Sequence, residues 1–180
     1  MNSQPRARLT GLIYLLYFLT AIPAQFLVTH ALPTWGLAFN IISFAFYIAV
    51  TVLFYFLFLP AGRILSLIAA ICSLTGSAVG LLNLFHHMPQ INPLWFFGPY
   101  CLLIGILILR STFLPWLLGV LMVLAGLGWL AFLYPPIARE AGLPLEALGV
   151  LAEAALMLWL LAAGVNLSRW KKQSRLTLHL

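Results

Sequence analysis

The chain has 180 residues, 64% of them apolar and 7% charged, with a mean hydropathy of +1.09. Soluble domains run at about 45–50% apolar and about 25% charged, so these side chains cannot coat a water-facing globule. Nine Lys and Arg against three acids give a net charge of +6 and a pI near 9.8. The basic residues fall in short segments between apolar runs, so they read as topology signals of an integral membrane protein rather than as a nucleic-acid footprint.

A helix crossing a hydrocarbon core of about 30 Å needs roughly 20 residues. The sequence offers six such runs: Leu9–Thr29, Leu37–Leu59, Ile64–Phe85, Leu94–Leu109, Phe113–Tyr134 and Leu145–Leu167. Helix breakers mark the gaps at Pro33, Pro60 to Gly62, Pro89 with Pro93, Pro135-Pro136, and Gly142 with Pro144. The runs are apolar at consecutive positions, which excludes the alternation of a membrane β-barrel. They fill most of the chain and leave no room for a soluble domain. The expectation is an all-α, six-helix transmembrane bundle forming a single domain over residues 1–180.

The first run opens like a secretory signal, with Arg6 and Arg8 before an apolar stretch and small residues near Ala24; it reads here as a span. Pro23 predicts a kink within it. An even number of spans puts both termini on one side. Arg6, Arg8, Arg63, Arg110, Arg169, Lys171, Lys172 and Arg175 all fall on that side, and only Arg139 falls opposite. The excess of Lys and Arg on cytoplasmic segments then places both termini in the cytoplasm. Trp35 and Trp95 mark the outer edge and Trp116 and Trp170 the inner one. The C-terminal run Ser168 to Arg175 reads as a basic stop-transfer flank that attracts anionic lipid.

Polar side chains are costly in hydrocarbon and usually face the bundle interior, so their helical phase reveals buried faces. Thr10, Tyr14, Tyr17, Ala21, Ala24 and Gln25 share one face of the first span, and Asn40, Ser43, Tyr47 and Thr51 share one of the second. The third carries Ser66, Ala69, Ala70, Ser73, Gly76, Ser77, Gly80, Asn83 and His87 on one arc, which predicts that this helix is the centre of the bundle. Packing and interhelical hydrogen bonds account for all three stripes. Depth adds something different: Gln25, Asn40, Asn83, His87 and Tyr100 belong to the outer half of the spans or the outer loops, together with Glu153. A cavity open to the outer face and closed below would produce that asymmetry.

Glu153 lies eight residues into the sixth run, about 12 Å below Leu145 at 1.5 Å per residue. A carboxyl group at that depth must point inward, pair, or stay protonated. It is a candidate proton acceptor or ligand anchor, with interhelical glue as the alternative. His86 and His87 project about 100° apart on a helix and cannot readily share a metal; with no H-E-x-x-H or similar motif, no metal and no cofactor is expected. Cys72 and Cys101 read as small packing residues. The chain has no Asp, no phosphate-cradling glycine loop and no G-x-S-x-G, so no catalytic residue is assigned.

The stretches Arg8-x-x-Gly11-Leu-Ile-Tyr-Leu15, Arg110-Ser-Thr-Phe-Leu-Pro115, Leu118-Gly-Val-Leu121, Leu124-Ala-Gly-Leu-Gly128, Leu158-Trp-Leu-Leu161 and Gly164-Val-Asn166 resemble a bacterial membrane family called domain of unknown function 4386. The resemblance implies a multi-span protein of the inner (plasma) membrane with a Glu like Glu153 in its last helix. It also implies a His in the fourth helix, where this chain has Tyr100.

Three functions follow. The favoured one is a non-enzymatic bundle that binds a small amphipathic or lipid-like ligand in an outward-facing cavity, with Glu153, Gln25, Asn40, Asn83, Tyr100 and His87 as candidate lining residues. The second is an accessory or scaffold subunit of a homo-oligomer or larger membrane complex. The third is an intramembrane enzyme with Glu153 as acid or base, which needs a second group within hydrogen-bond reach of that carboxyl. The lipid bilayer is the expected partner in all three, and nucleic acid in none.

Overall fold

The computed structural model describes residues 3–29, 32–85 and 91–177. Among them it shows only helices and short connections: α1 (Ser3–Thr29), α2 (Pro33–Phe58), α3 (Arg63–Leu84), α4 (Leu94–Arg110), α5 (Trp116–Phe132), α6 (Pro135–Ala162) and α7 (Leu167–Thr177), with a 3-10 turn at Leu59–Ala61. Four of these, α1, α2, α3 and α6, are long and apolar enough to cross a membrane. The other two apolar helices, α4 and α5, have 17 residues each, about 26 Å at 1.5 Å per residue.

Prolines set most of the boundaries. Pro33 is not a breaker between spans but lies in the first turn of α2, where its missing N–H would be unsatisfied anyway. The fifth helix is shorter than the 22-residue run read from hydropathy. Pro115 is extended and keeps residues 113–115 out of the helix, and Tyr134, which precedes Pro135, is extended as well. The sixth begins earlier than expected, at Pro135, and bends at Ala141 (φ −122°, ψ 15°). Pro144 lies three residues on, has no N–H to donate, and crowds the carbonyl of Glu140, which accounts for the bend. It also ends earlier, at Ala162. Gly164 takes a left-handed turn (φ 69°), and Leu167 opens α7 rather than closing a span. Through Pro23, by contrast, α1 continues unbroken.

The six apolar helices form a closed ring in chain order, each packing against its sequence neighbours and α1 against α6. Helix α3 therefore sits between α2 and α4 and is not the centre of the bundle. Its small residues are nonetheless buried, Ser66, Ala69, Ser73, Gly76, Ser77 and Gly80 among them, because they seat neighbouring side chains: a Cβ on Gly80 would lie 2.6 Å from the Phe44 ring. Helices α4 and α5 cross closely along a glycine seam. Gly98 faces Gly126 and Gly105 faces Gly119, so close that a Cβ on Gly126 would lie 2.8 Å from the Gly98 carbonyl oxygen.

The molecule is inverted relative to a soluble protein. Thr10, Asn40, Ser43, Thr51, Ser66, Ser73, Ser77 and Glu153 are buried, while Leu19, Ile22, Phe26, Ile64, Leu151 and Leu158 are exposed. The hydroxyls mostly bond their own helix, as Thr10 does to the Arg6 carbonyl (2.8 Å). Thr51 and Ser73 link α2 to α3 at 2.5 Å. Fully buried large side chains, including Phe54, Phe58, Ile104, Leu107, Ile108 and Leu160, fill the half of the ring nearest the described chain ends. That half is closed by α7. The Trp170 indole N–H donates to the Leu57 carbonyl (3.0 Å), the Gln173 amide oxygen accepts from the Thr112 N–H and hydroxyl (both 3.0 Å), and Asn166 caps the helix through the Arg169 N–H (3.2 Å). The basic tail read as a flank is thus a docked helix.

Candidate functional site

The opposite half of the ring is not filled. A recess of about 220 Å³ enters it between α1, α2, α4, α5 and α6. Glu153 from α6 lies at its floor, 9% exposed. Gln25 of α1 and Asn40 of α2 line it closer to the α1–α2 end of the bundle. These three arrive from three different helices, because the ring places α1 against both α2 and α6. The Asn40 amide donates to the Gly36 carbonyl one turn back (2.9 Å), which fixes its rotamer.

The other candidate positions lie elsewhere. Asn83 is on α3, where its amide donates to the Ile91 carbonyl (2.9 Å), and it does not line the recess. Tyr100 is fully buried behind Tyr47, with ring centroids 6.0 Å apart and no hydrogen bond on its hydroxyl among the described residues. His86, His87 and His30 lie outside the described residues. Asn83 was grouped with the others on depth alone, but α3 packs against neither α1 nor α6.

Sequence reasoning did not assign the groups that hold the carboxyl. The Tyr14 hydroxyl donates to Glu153 Oε2 at 2.5 Å across 139 residues of chain, and the Cys101 thiol lies 3.9 Å from Oε1. That bond ties α1 directly to α6. Tyr14 is itself fully buried, wedged edge-on against Phe54 (5.8 Å) and Tyr47 (6.4 Å), so the carboxyl is braced from behind. Trp129 of α5 lines the recess and reaches the same carboxyl. Gly149, one turn before Glu153, makes room for it, since any side chain there would collide with the indole. The stripe Thr10, Tyr14, Tyr17 was a usable signal for Tyr14; Trp129 had none beyond its place in an apolar run.

Aromatic rings form the walls. Tyr17 packs on Tyr47 at 4.8 Å and Tyr47 meets Phe97 edge-on at 5.3 Å, and Phe44 and Trp129 complete the lining. Among the described residues no Lys, Arg or His lines the recess, and none contains a group of His, Cys, Asp and Glu able to hold a metal ion.

The fold and its surface define a helical bundle of membrane type. Within it, residues 81–164, from the end of α3 to just beyond α6, match the model of the family described as Domain of unknown function (DUF4386). The resemblance read from the sequence motifs is therefore shown over that segment, which carries Tyr100, Trp129 and Glu153 but does not include Tyr14, Gln25 or Asn40. No curated protein and no solved structure matches the chain.

Proposed function

We propose that this protein is a six-span integral membrane protein of the plasma membrane, with both termini cytoplasmic, that binds a small amphipathic or lipid-like molecule in an outward-facing recess. Helices α1 to α6 are the spans. The 17-residue α4 and α5 cross with the help of locally thinned lipid, and the Lys and Arg bias sets the orientation. The recess then opens on the outer side, and the packed half with α7 closes the cytoplasmic side.

The observation that carries the binding reading is the recess ending on Glu153. Burying a carboxyl is costly, and a purely structural one would be sealed on all sides; this one is braced by Tyr14 yet keeps a face to the cavity. A volume of about 220 Å³ equals the share of roughly seven waters and falls below the 300–1,000 Å³ typical of drug-sized sites. It suits a compact polar head whose apolar part lies toward the opening. An acid–base enzyme is the second reading, because the Tyr14–Glu153 pair meets the distance such chemistry needs. Only Glu153 of the pair lines the recess, which favours binding.

Native mass spectrometry of the detergent-extracted protein tests this. Ala21 lines the recess, so the wild type should carry a small-molecule adduct that Ala21→Phe abolishes. Identical spectra from the two proteins would overturn the reading.

A further inference from the structure

The lining of the recess has a specific chemistry. It combines one acid, five aromatic residues (Tyr17, Phe44, Tyr47, Phe97 and Trp129) and the neutral acceptors Gln25, Asn40 and Ser43, with no basic group among the described residues. The fold gives Glu153 hydrogen-bond donors in Tyr14 and Cys101, and among the described residues lining the recess there is no positive charge to pair with it. A buried carboxyl without a counter-charge either stays protonated or takes up a cation, and a cation bound beside it would favour its ionised form. Aromatic faces attract cations through the ring quadrupole, and they suit alkylated ammonium groups that have little to offer a hydrogen-bond acceptor.

We infer that the recess is an aromatic cage for a compact organic ammonium group, with Glu153 as its counter-ion. This deepens the binding reading and rests on it. Tyr17 and Tyr47, tilted 50° to each other with centroids 4.8 Å apart, form one wall, and Trp129 stands beside the carboxyl. Tyr14 is a positioning residue: it holds Oε2, while Oε1 has the long Cys101 thiol contact at 3.9 Å. The size of the recess limits the head to something like a trimethylammonium group with a short substituent; longer apolar tails would project from the opening.

The test compares choline with 3,3-dimethylbutan-1-ol, its uncharged isostere, by calorimetric titration of the full chain in detergent. Choline should bind at least about tenfold more tightly than the alcohol, and Glu153→Gln should erase that preference. Tyr17→Leu should weaken choline by about three- to tenfold, the effect of one cation–π contact, while leaving the alcohol unchanged. It carries the test if Glu153→Gln does not fold. Equal affinity for the two probes, or a choline preference untouched by whichever variants fold, overturns the inference. If the alcohol binds equally well and Ala21→Phe abolishes it, the recess is still a ligand site and only the cationic specificity fails. If neither probe binds, the ammonium cage is refuted, and the native mass spectra alone decide the broader binding reading.

Discussion

The glycine seam between α4 and α5 gives a sharp test of how the ring is held. Replacing Gly126 by Ala would place a Cβ 2.6 Å from the Leu102 backbone nitrogen and 2.8 Å from the Gly98 carbonyl oxygen. Both obstacles are backbone, so no rotamer change relieves them and the helices must part by roughly 0.5–1 Å. A gap of that size forfeits a quarter to a half of each contact of about 0.1–0.2 kcal/mol. Over roughly 40 atom pairs along the crossing the loss is about 1–4 kcal/mol, in line with the ~1–3 kcal/mol usual for overpacked interiors. Gly128 stands two residues on in the same helix, and a Cβ there would meet Leu145 Cδ2 at 3.5 Å, an ordinary contact. Gly128→Ala should therefore be neutral, or stabilising by up to ~1 kcal/mol from helix propensity. Reversible unfolding of both variants in mixed detergent micelles reads the difference. Equal shifts, or a stabilising Gly126→Ala, would refute the packing argument.

Other perturbations have predictable signs. Tyr14→Phe keeps the ring among Phe54 and Tyr47 but removes the donor to Glu153; unfolding should show a loss of about 1–3 kcal/mol, the cost of stranding a buried polar partner. Trp170→Phe deletes the bond to the Leu57 carbonyl, and hydrogen exchange should rise across α7 while α2 stays protected. Gly149→Leu drives the Trp129 indole off the carboxyl, and the fluorescence of that residue, isolated by replacing the other tryptophans, should shift in wavelength.

How much of this was legible in the sequence depends on the range of the interaction. The apolar runs located the six long elements, and helical phase identified the buried faces of α1, α2 and α3, since both are local properties of spacing. Depth singled out Gln25, Asn40 and Glu153. The same criterion also included Asn83, because depth does not say which helix faces which; that follows from ring closure, a long-range fact. Tyr14 lay on a recognised stripe, but its bond to Glu153 joins the first helix to the sixth and leaves no local trace. The boundaries of α5 and α6 were misjudged for a different reason. Hydropathy continues across Phe113, Leu114 and Tyr134, whereas Pro115 and Pro135 constrain the backbone there. In α7 the basic residues hid a half-buried edge of Leu167, Trp170, Gln173 and Ser174 at helical spacing.

The central claim, an outward recess in a membrane bundle whose termini are cytoplasmic, is tested most directly by cysteine accessibility in intact cells. In a Cys72→Ala, Cys101→Ala background, Asn40→Cys at the recess should react with an impermeant cationic methanethiosulfonate added outside. Arg63→Cys, at the exposed start of α3, should react only after the membrane is permeabilised. The reverse pattern, or an Asn40→Cys that stays inert under both conditions, would contradict the account.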